Sequence, residues 1–327
     1  MSMRRIAAVM VLAAGLVLFG GAPPAQAQCT GDLDGDGDVD LSDLAALLAN
    51  YGTHCVPDGM VSVPEGWFEM GDSFDEGADD EAPVHTVWIS RFYIDKYEVT
   101  NAQYAQFLNA GGNDDHWISD QKILRQGASP PYVYLPVENY DSHPVVYVSH
   151  DDATAFCEWR TIAEGMPPGF YHLPTEAEWE KAAGWDPVLQ QHFRFGEHTD
   201  GCGYNCLDGQ RANYWLSGDP FDNETTPVGY YDGADHGGYQ TQDARSYYGC
   251  YDMCGNVYEW CTDWYSSSYY SSSPSSNPTG PDSGTYRILR GGAWNTYQSS
   301  CRSAYRRKDL PGYRGSTYGF RCAAGTP

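Results

Sequence analysis

The first long hydrophobic stretch, residues 6–19, follows Arg4 and Arg5 and gives way to small residues ending in Ala25-Gln26-Ala27. Basic residues, an apolar run and a small-residue site in that order predict a secretory signal peptide, residues 1–27, cleaved after Ala27. The run has 14 residues, short of the ~20 that span a bilayer. Beyond it, Leu41, Leu44, Leu47 and Leu48 trace one face of a helix. Three later segments begin with a hydroxyl residue followed three positions on by a side chain able to reach back to it, the reciprocal cap that starts helices. Thr100 with Gln103 precedes a run ending before Gly111, Ser149 with Asp152 precedes one through Cys157 and Trp159, and Thr175 with Glu178 precedes residues 176–183. Residues 84–94 alternate instead and predict a strand pair around Ser90-Arg91. The remainder reads as short strands and turns, and the Ser- and Tyr-rich stretch 265–278 as a low-complexity surface loop.

Composition narrows the class. The 327 residues hold 44 acidic and 19 basic side chains, and a net charge of −25 argues against nucleic acid as a partner. With 41% hydrophobic and 19% charged residues the chain has a core to bury. Its 36 glycines and 20 prolines favour a loop-rich fold over a helical bundle. No later stretch is long enough to span a membrane, so the mature protein is expected outside the cytoplasm: secreted, periplasmic or at the cell surface. There its ten cysteines would persist as disulfides. A small module over residues 28–56 and one domain over 57–327 account for the rest, since no internal repeat or long linker divides the latter.

Residues 32–43 place Asp32, Asp34, Asp36, Asp40 and Asp43 at positions 1, 3, 5, 9 and 12 of a calcium loop, with Gly37 at the sharp turn and the carbonyl of Asp38 as a further oxygen. Calcium takes roughly six to eight oxygens, and this spacing turns carboxylates toward one centre. The segment resembles one repeat of a bacterial dockerin module, with Asp43 where an EF-hand has Glu, and no second repeat follows. The resemblance implies calcium and a cohesin-like extracellular partner. Cys29 and Cys55 bracket the loop and could close it as a disulfide.

Further strings occur in order: Val61-Ser62-Val63-Pro64-Glu65-Gly66-Trp67-Phe68-Glu69-Met70-Gly71, Tyr97-Glu98-Val99-Thr100-Asn101-Ala102-Gln103-Tyr104, His143-Pro144-Val145, Ala155-Phe156-Cys157-Glu158-Trp159, Leu173-Pro174-Thr175-Glu176-Ala177-Glu178-Trp179-Glu180, Gly255-Asn256-Val257-Tyr258-Glu259-Trp260, Arg290-Gly291-Gly292 and Gly319-Phe320-Arg321. Together they resemble the formylglycine-generating enzyme, or sulfatase-modifying factor, family over nearly all of residues 57–325. The resemblance implies an irregular, loop-rich α+β fold related to C-type lectins and tied by calcium and disulfides. It implies one calcium site on the side chains of Asp252 and Glu259 with the carbonyls of Gly255 and Val257. A second falls on Asn213, the Tyr214 carbonyl, Asp219 and the Phe221 carbonyl; both are oxygen-only sets, as a hard cation requires. It also pairs Cys157 with Cys322. Cys202, Cys206, Cys250 and Cys254 could form a four-thiolate zinc site, but an oxidising compartment favours disulfides among them, leaving Cys261 and Cys301 as the last pair.

The family's oxidase holds copper(I) on two nearby cysteines while oxygen converts a cysteine of a sulfatase into formylglycine. At the matching positions this chain has Thr296 and Cys301, and Ala293 replaces a serine. A hydroxyl does not replace a thiolate toward copper(I), so copper is not expected here. The resemblance therefore implies an inactive relative that binds or assembles with an extracellular protein or glycan. The alternative is a formylglycine-generating oxidase with altered ligands, or a family enzyme with other chemistry. Trp159, Trp179 and Trp260 read as core anchors. Glu178 and Glu180 look like a catalytic pair, but Glu178 is expected to be taken up as a helix cap, and His85, His143 and His172 lack metal-ligand spacing. Arg287, Arg290, Arg302, Arg306, Arg307, Lys308, Arg314 and Arg321 stand out in an acidic chain, either as a site for an anionic ligand or as paired structural residues. The 32–43 loop generates the first expectation: a peptide of residues 28–55 releases heat on calcium titration, and silence at millimolar calcium would refute the loop.

Overall fold

Each of the three capping patterns starts a helix in the computed structural model, which describes residues 56–325 apart from 112, 196–206 and 222. The signal peptide, the 32–43 loop, Cys29, Cys55, Cys202 and Cys206 lie outside the described residues. Helix α1 spans Asn101–Asn109, α2 His150–Ala163 and α3 Glu176–Gly184. In each, the hydroxyl of Thr100, Ser149 or Thr175 accepts the N–H three residues on, and the Gln103, Asp152 or Glu178 side chain accepts the cap's own N–H. Two otherwise unsatisfied donors per helix are thereby satisfied.

The strands are short: β1 (Met60–Val63), β2 (Gly66–Met70), β3 (His85–Ile89), β4 (Phe92–Asp95), β5 (Ile123–Gln126), β6 (Val133–Pro136), β7 (Tyr171–His172), β8 (Trp185–Asp186), β9 (Gln191–His192), β10 (Tyr258–Trp264), β11 (Arg287–Arg290), β12 (Arg307–Asp309), β13 (Tyr318–Gly319) and β14 (Ala323–Gly325). One four-stranded sheet runs β1-β4-β14-β7 and another β12-β11-β10-β13, with three two-stranded ribbons beside them. Mixed helices and sheets thus agree with the expected α+β class.

One expectation changes. Residues 84–94 do form β3 and β4, but these strands do not pair with each other. All four residues of β4 are buried, and it takes partners on both edges, β1 and β14, while β3 pairs with β2 so that Trp67 faces Trp88. At the corner between them the Ser90 N–H donates to Asn277 Oδ1 (2.8 Å) and the Trp88 N–H to the Ser275 carbonyl (2.9 Å). The 265–278 stretch is the surface loop expected, with most of its residues exposed, and it is anchored where Tyr270 is buried and Tyr265 and Tyr269 pack against the core.

Strand β10 serves two cores. Tyr258 and Trp260 join Tyr104, Phe107, Phe156 and Phe320 under α1 and α2, whereas Cys261 joins Phe68, Phe92, Trp179 and Ile288 under α3. Trp179 and Trp260 are fully buried, and each indole N–H finds an acceptor, Glu259 Oε2 at 2.8 Å and the Val148 carbonyl at 3.0 Å. Trp159 packs half-buried against the first core, so all three tryptophans are the anchors expected. Among the described residues no helix is long and apolar enough to cross a membrane. Trp260→Ala should cost about 3–5 kcal/mol of unfolding free energy in urea. Trp67→Ala, where the ring is 52% exposed, should cost no more than about 1 kcal/mol; equal losses would contradict this placement.

Candidate functional site

Three loops meet at the N-terminal end of β10. Within residues 252–259 the backbone takes positive φ at Asp252 (59°), Gly255 (83°) and Asn256 (54°), which folds the segment back on itself. Gly255 is required there: a Cβ would lie 2.2 Å from the Asn213 carbonyl oxygen. That carbonyl accepts the Asn256 N–H (2.9 Å), the Gly255 N–H donates to the Gly291 carbonyl (2.8 Å), and the Trp294 N–H donates to the Asn256 carbonyl (2.9 Å). The implied calcium segment, the Asn213 segment and the oxidase-like 291–301 segment are thus laced together by main-chain bonds.

The electrostatics of this point are unbalanced. Glu98, Asp252 and Glu259 are all buried around one guanidinium, that of Arg321. Glu259 is fully satisfied: Arg321 Nη2 donates to Oε1 and Nε to Oε2, both at 2.6 Å, and Trp179 adds a third bond. Asp252 Oδ2 accepts the Gly229 N–H (2.6 Å), yet burial pushes its carboxyl up to about 6. Burial and the charges of Asp252 and Glu259 raise Glu98 well above the usual carboxylate range. Glu98 Oε2 accepts from Asn256 Nδ2 (3.1 Å), whereas its Oε1 has no hydrogen-bond partner. Neither Glu98 nor Asn256 is marked as a site residue by the sequence, because a glutamate inside Tyr97-Glu98-Val99 carries no sign of being buried. The adjoining set is polar as well. Asn213 donates to the Glu224 carbonyl (2.8 Å), and Asp219 accepts the Phe221 N–H (2.6 Å), the Ser217 hydroxyl (2.5 Å) and the Tyr231 hydroxyl (3.2 Å). Tyr214 packs half-buried against the Cys254 and Cys301 cluster.

At the oxidase-like positions, Thr296 closes a turn on itself: its hydroxyl donates to the Ala293 carbonyl (2.9 Å) and accepts the Ala293 N–H (3.0 Å). Cys301 is fully buried, and burial pushes its thiol up to about 12 even though Thr296, Ala293 and Gly255 interact with it. The Cys254 sulfur lies 3.1 Å from the Cys301 carbonyl oxygen and shares a buried cluster with Cys301, while Cys261 lies in another with Cys250. The sulfurs of Cys157 and Cys322 face each other at 3.5 Å.

The basic residues resolve into structural pairs. Arg290 bonds Glu180 and the carbonyls of Ser303, Ala304 and Tyr305; Arg306 grips Glu176, Arg302 grips Glu81 and Arg314 grips Asp152, each through two nitrogens. Arg307 bonds the Tyr318 hydroxyl and Arg287 lies over the Trp264 ring. Only Lys308 of the eight is exposed, and its ammonium sits 3.9 Å from the Tyr265 ring centre. Glu178 caps α3 and Glu180 is an ion-pair partner, so neither is placed for acid–base work. His85, His143 and His172 hydrogen-bond Pro83, Thr225 and Leu173 respectively.

A family model described as the sulfatase-modifying factor enzyme 1-like domain matches residues 48–326. The serine/threonine-protein kinase pkn1 of Chlamydia caviae is 36% identical over a 276-residue alignment that covers 81% of this chain but 38% of that protein; the chain thus spans well under half of that relative. A formylglycine-generating enzyme of Streptomyces coelicolor is 34% identical over 302 residues, covering 81% of this chain and 88% of that one. Among solved structures, that of PvdO from Pseudomonas aeruginosa matches with a TM-score of 0.61 at 26% identity, covering 82% of this chain and 94% of that chain.

Glu180 supplies a test of the buried ion pairs. Burial alone would raise its carboxyl, but Arg290, with His192 and the Gly71 N–H, holds it at about 2 against 4.5 when unperturbed. A lowered folded value means stability that is present above pH 4.5 and lost as pH falls toward 2. Urea midpoints should drop through that window, and the slope should flatten in Glu180→Gln. Arg290→Met should cost about 3–5 kcal/mol at neutral pH by stranding Glu180.

Proposed function

The chain belongs to the sulfatase-modifying factor enzyme 1-like family, and from that premise we propose that it is an exported, calcium-stabilised member that binds or assembles with an extracellular protein or glycan and does not oxidise cysteine. Thr296 carries this reading. Copper(I) needs soft donors, and the hydroxyl at this position is hard and already engaged with Ala293. Cys301 remains, but a buried thiol held at about 12 stays protonated and is a poor ligand without a partner. These residues do not fit a copper(I) centre.

Calcium fits the donors better. Glu98 and Asp252 are buried carboxylates in excess of the one guanidinium beside them, and oxygen donors suit a hard cation. Asp252 with the carbonyls of Gly255 and Val257 would hold it, and Asn213 and Asp219 with the carbonyls of Tyr214 and Phe221 a second ion. Bound calcium would supply charge balance and hold the loops in place. The surface beside Thr296 supports a binding role: Trp215, whose N–H donates to the Thr296 carbonyl (2.8 Å), is 39% exposed, Leu216 73% and Tyr297 68%. The Trp215–Thr296 bond brings these three side chains' segments together, and they would offer apolar area to a partner. Part of a much longer Chlamydia protein named as a kinase resembles this chain, so the domain is not confined to proteins named for the oxidase. Export and attachment through the dockerin-like loop rest on residues 1–27 and 32–43.

One observation favours an oxidase with altered ligands, namely the Cys254 sulfur beside Cys301. Incubating the protein with copper, oxygen and a Cys-x-Pro-x-Arg peptide separates the two readings. The peptide mass is expected to remain unchanged with the wild type, while Thr296→Cys gains conversion by restoring the second thiolate. Copper-dependent aldehyde formation by the wild type, lost in Cys254→Ser, would overturn the binding reading.

A further inference from the structure

We propose that the Trp67–Trp88 pair on the outer face of the β2–β3 ribbon recognises a basic segment of a partner protein, seating an arginine between the two rings. The site is separate from the surface beside Thr296 and does not depend on it. The two tryptophans stand directly opposite each other in the strand register, and their ring centres lie 5.5 Å apart with the planes inclined by 72°. Rings set edge to face leave a corner in which one cation meets both π-faces. Phe68 and Met70 of the same strand point into the core, whereas Trp67 is exposed. The corner is also held in place. The Trp88 N–H donates to the Ser275 carbonyl (2.9 Å) and its carbonyl accepts the Asn277 N–H (2.8 Å), so β3 is fixed on the edge away from β2. A ring ordered before binding loses little freedom when a ligand arrives.

Charge selects the occupant. Elsewhere in the domain indoles carry a guanidinium: Arg125, Arg290 and Arg287 lie 4.2, 5.4 and 3.6 Å from the ring centres of Trp117, Trp179 and Trp264. Among the described residues no cation lies over Trp67 or Trp88. Two cations that reach this part of the chain are committed to other partners. Lys181 donates to the Pro64 and Gly66 carbonyls at 2.9 and 3.0 Å, and Arg91 pairs with Glu65 at 3.2 Å. Glu69 lies on the same outer face two residues beyond Trp67, is exposed, and has no ion pair among the described residues. Two π-faces beside a carboxylate, on a chain of net charge −25, attract a cation and repel an acidic ligand. Thr86, opposite Glu69, and Ser276, bridged to Trp88, are exposed and polar, so the face suits a short charged segment and not a broad apolar one. A planar guanidinium stacks on an indole where a compact ammonium cannot, which favours arginine over lysine.

The test titrates the full chain by calorimetry, at physiological salt, with a capped Arg-Gly-Arg-Gly-Arg peptide and with the same peptide carrying neutral citrulline in place of arginine. Only the arginine peptide is expected to bind. Trp67→Ala leaves the net charge unchanged and should weaken binding about 10-fold, and Glu69→Gln should weaken it by a smaller factor. Thermal unfolding of both variants should stay close to the parent, which separates a lost contact from a lost fold. Equal binding by the parent and Trp67→Ala would reduce the effect to diffuse attraction by an acidic surface and overturn the proposal. So would no binding at millimolar peptide, or equal binding of the citrulline peptide. Binding lost in Tyr297→Ala but kept in Trp67→Ala would also overturn it, and would place recognition at the surface beside Thr296. Capture of cellohexaose through Trp67, with the arginine peptide ignored, would replace the cation site with a sugar platform.

Discussion

The Arg321 guanidinium sets the geometry of everything around it. It is fully buried and bonds Glu259 twice, the Tyr251 carbonyl at 2.9 Å, and the Asp95 and Lys96 carbonyls at 3.1 and 3.3 Å. Those partners come from the end of β4, the entry to the 252–259 loop and the body of β10, so one side chain near the C-terminus fixes three distant segments. A buried ion pair is not in itself strong evidence of stability, since desolvation offsets much of the attraction. Its consequence here is positional: with Glu259 held by Arg321, the remaining carboxylates, Asp252 and Glu98, are left without a counter-charge of their own.

The same logic recurs across the domain. Arg290 with Glu180, Arg306 with Glu176 and Arg302 with Glu81 each join segments more than 100 residues apart in the chain. In a fold of strands only two to seven residues long, such cross-links replace the cooperativity that long sheets would provide. They also leave the 291–301 segment free to vary. Gly291 and Gly292 take positive φ of 95° and 80° to bring the chain over Cys301, and beyond them the turn closed by Thr296 has no role in the ion pairs. A copper ligand can be lost from such a position while the framework persists, which is how a family member can keep its fold and change its work.

Much of this was legible in the sequence where the signal is local. Thr100, Ser149 and Thr175 announce their helices because a cap depends on residues three positions apart, and the substitution at Thr296 is visible in the motif itself. Pairing across the chain was not legible. Residues 84–94 alternate as a hairpin would, yet full burial of β4 sends its two edges to β1 and β14. The eight basic residues looked equally suited to an anionic ligand or to internal pairing, and only distant carboxylates such as Glu81 and Glu176 decide the matter. Nothing next to Glu98 in the chain shows that it faces Asp252 and Glu259 and not water.

The central proposal is that this domain keeps the calcium its family resemblance implies without the copper(I) centre, and its metal content tests that most directly. The full chain, purified without chelators from cells supplied with both metals, would be analysed for calcium and copper by plasma mass spectrometry. The account expects calcium at two equivalents or more, one of them on the 32–43 loop, with copper well below one. Copper at one equivalent per chain, or a folded protein devoid of calcium, would contradict it.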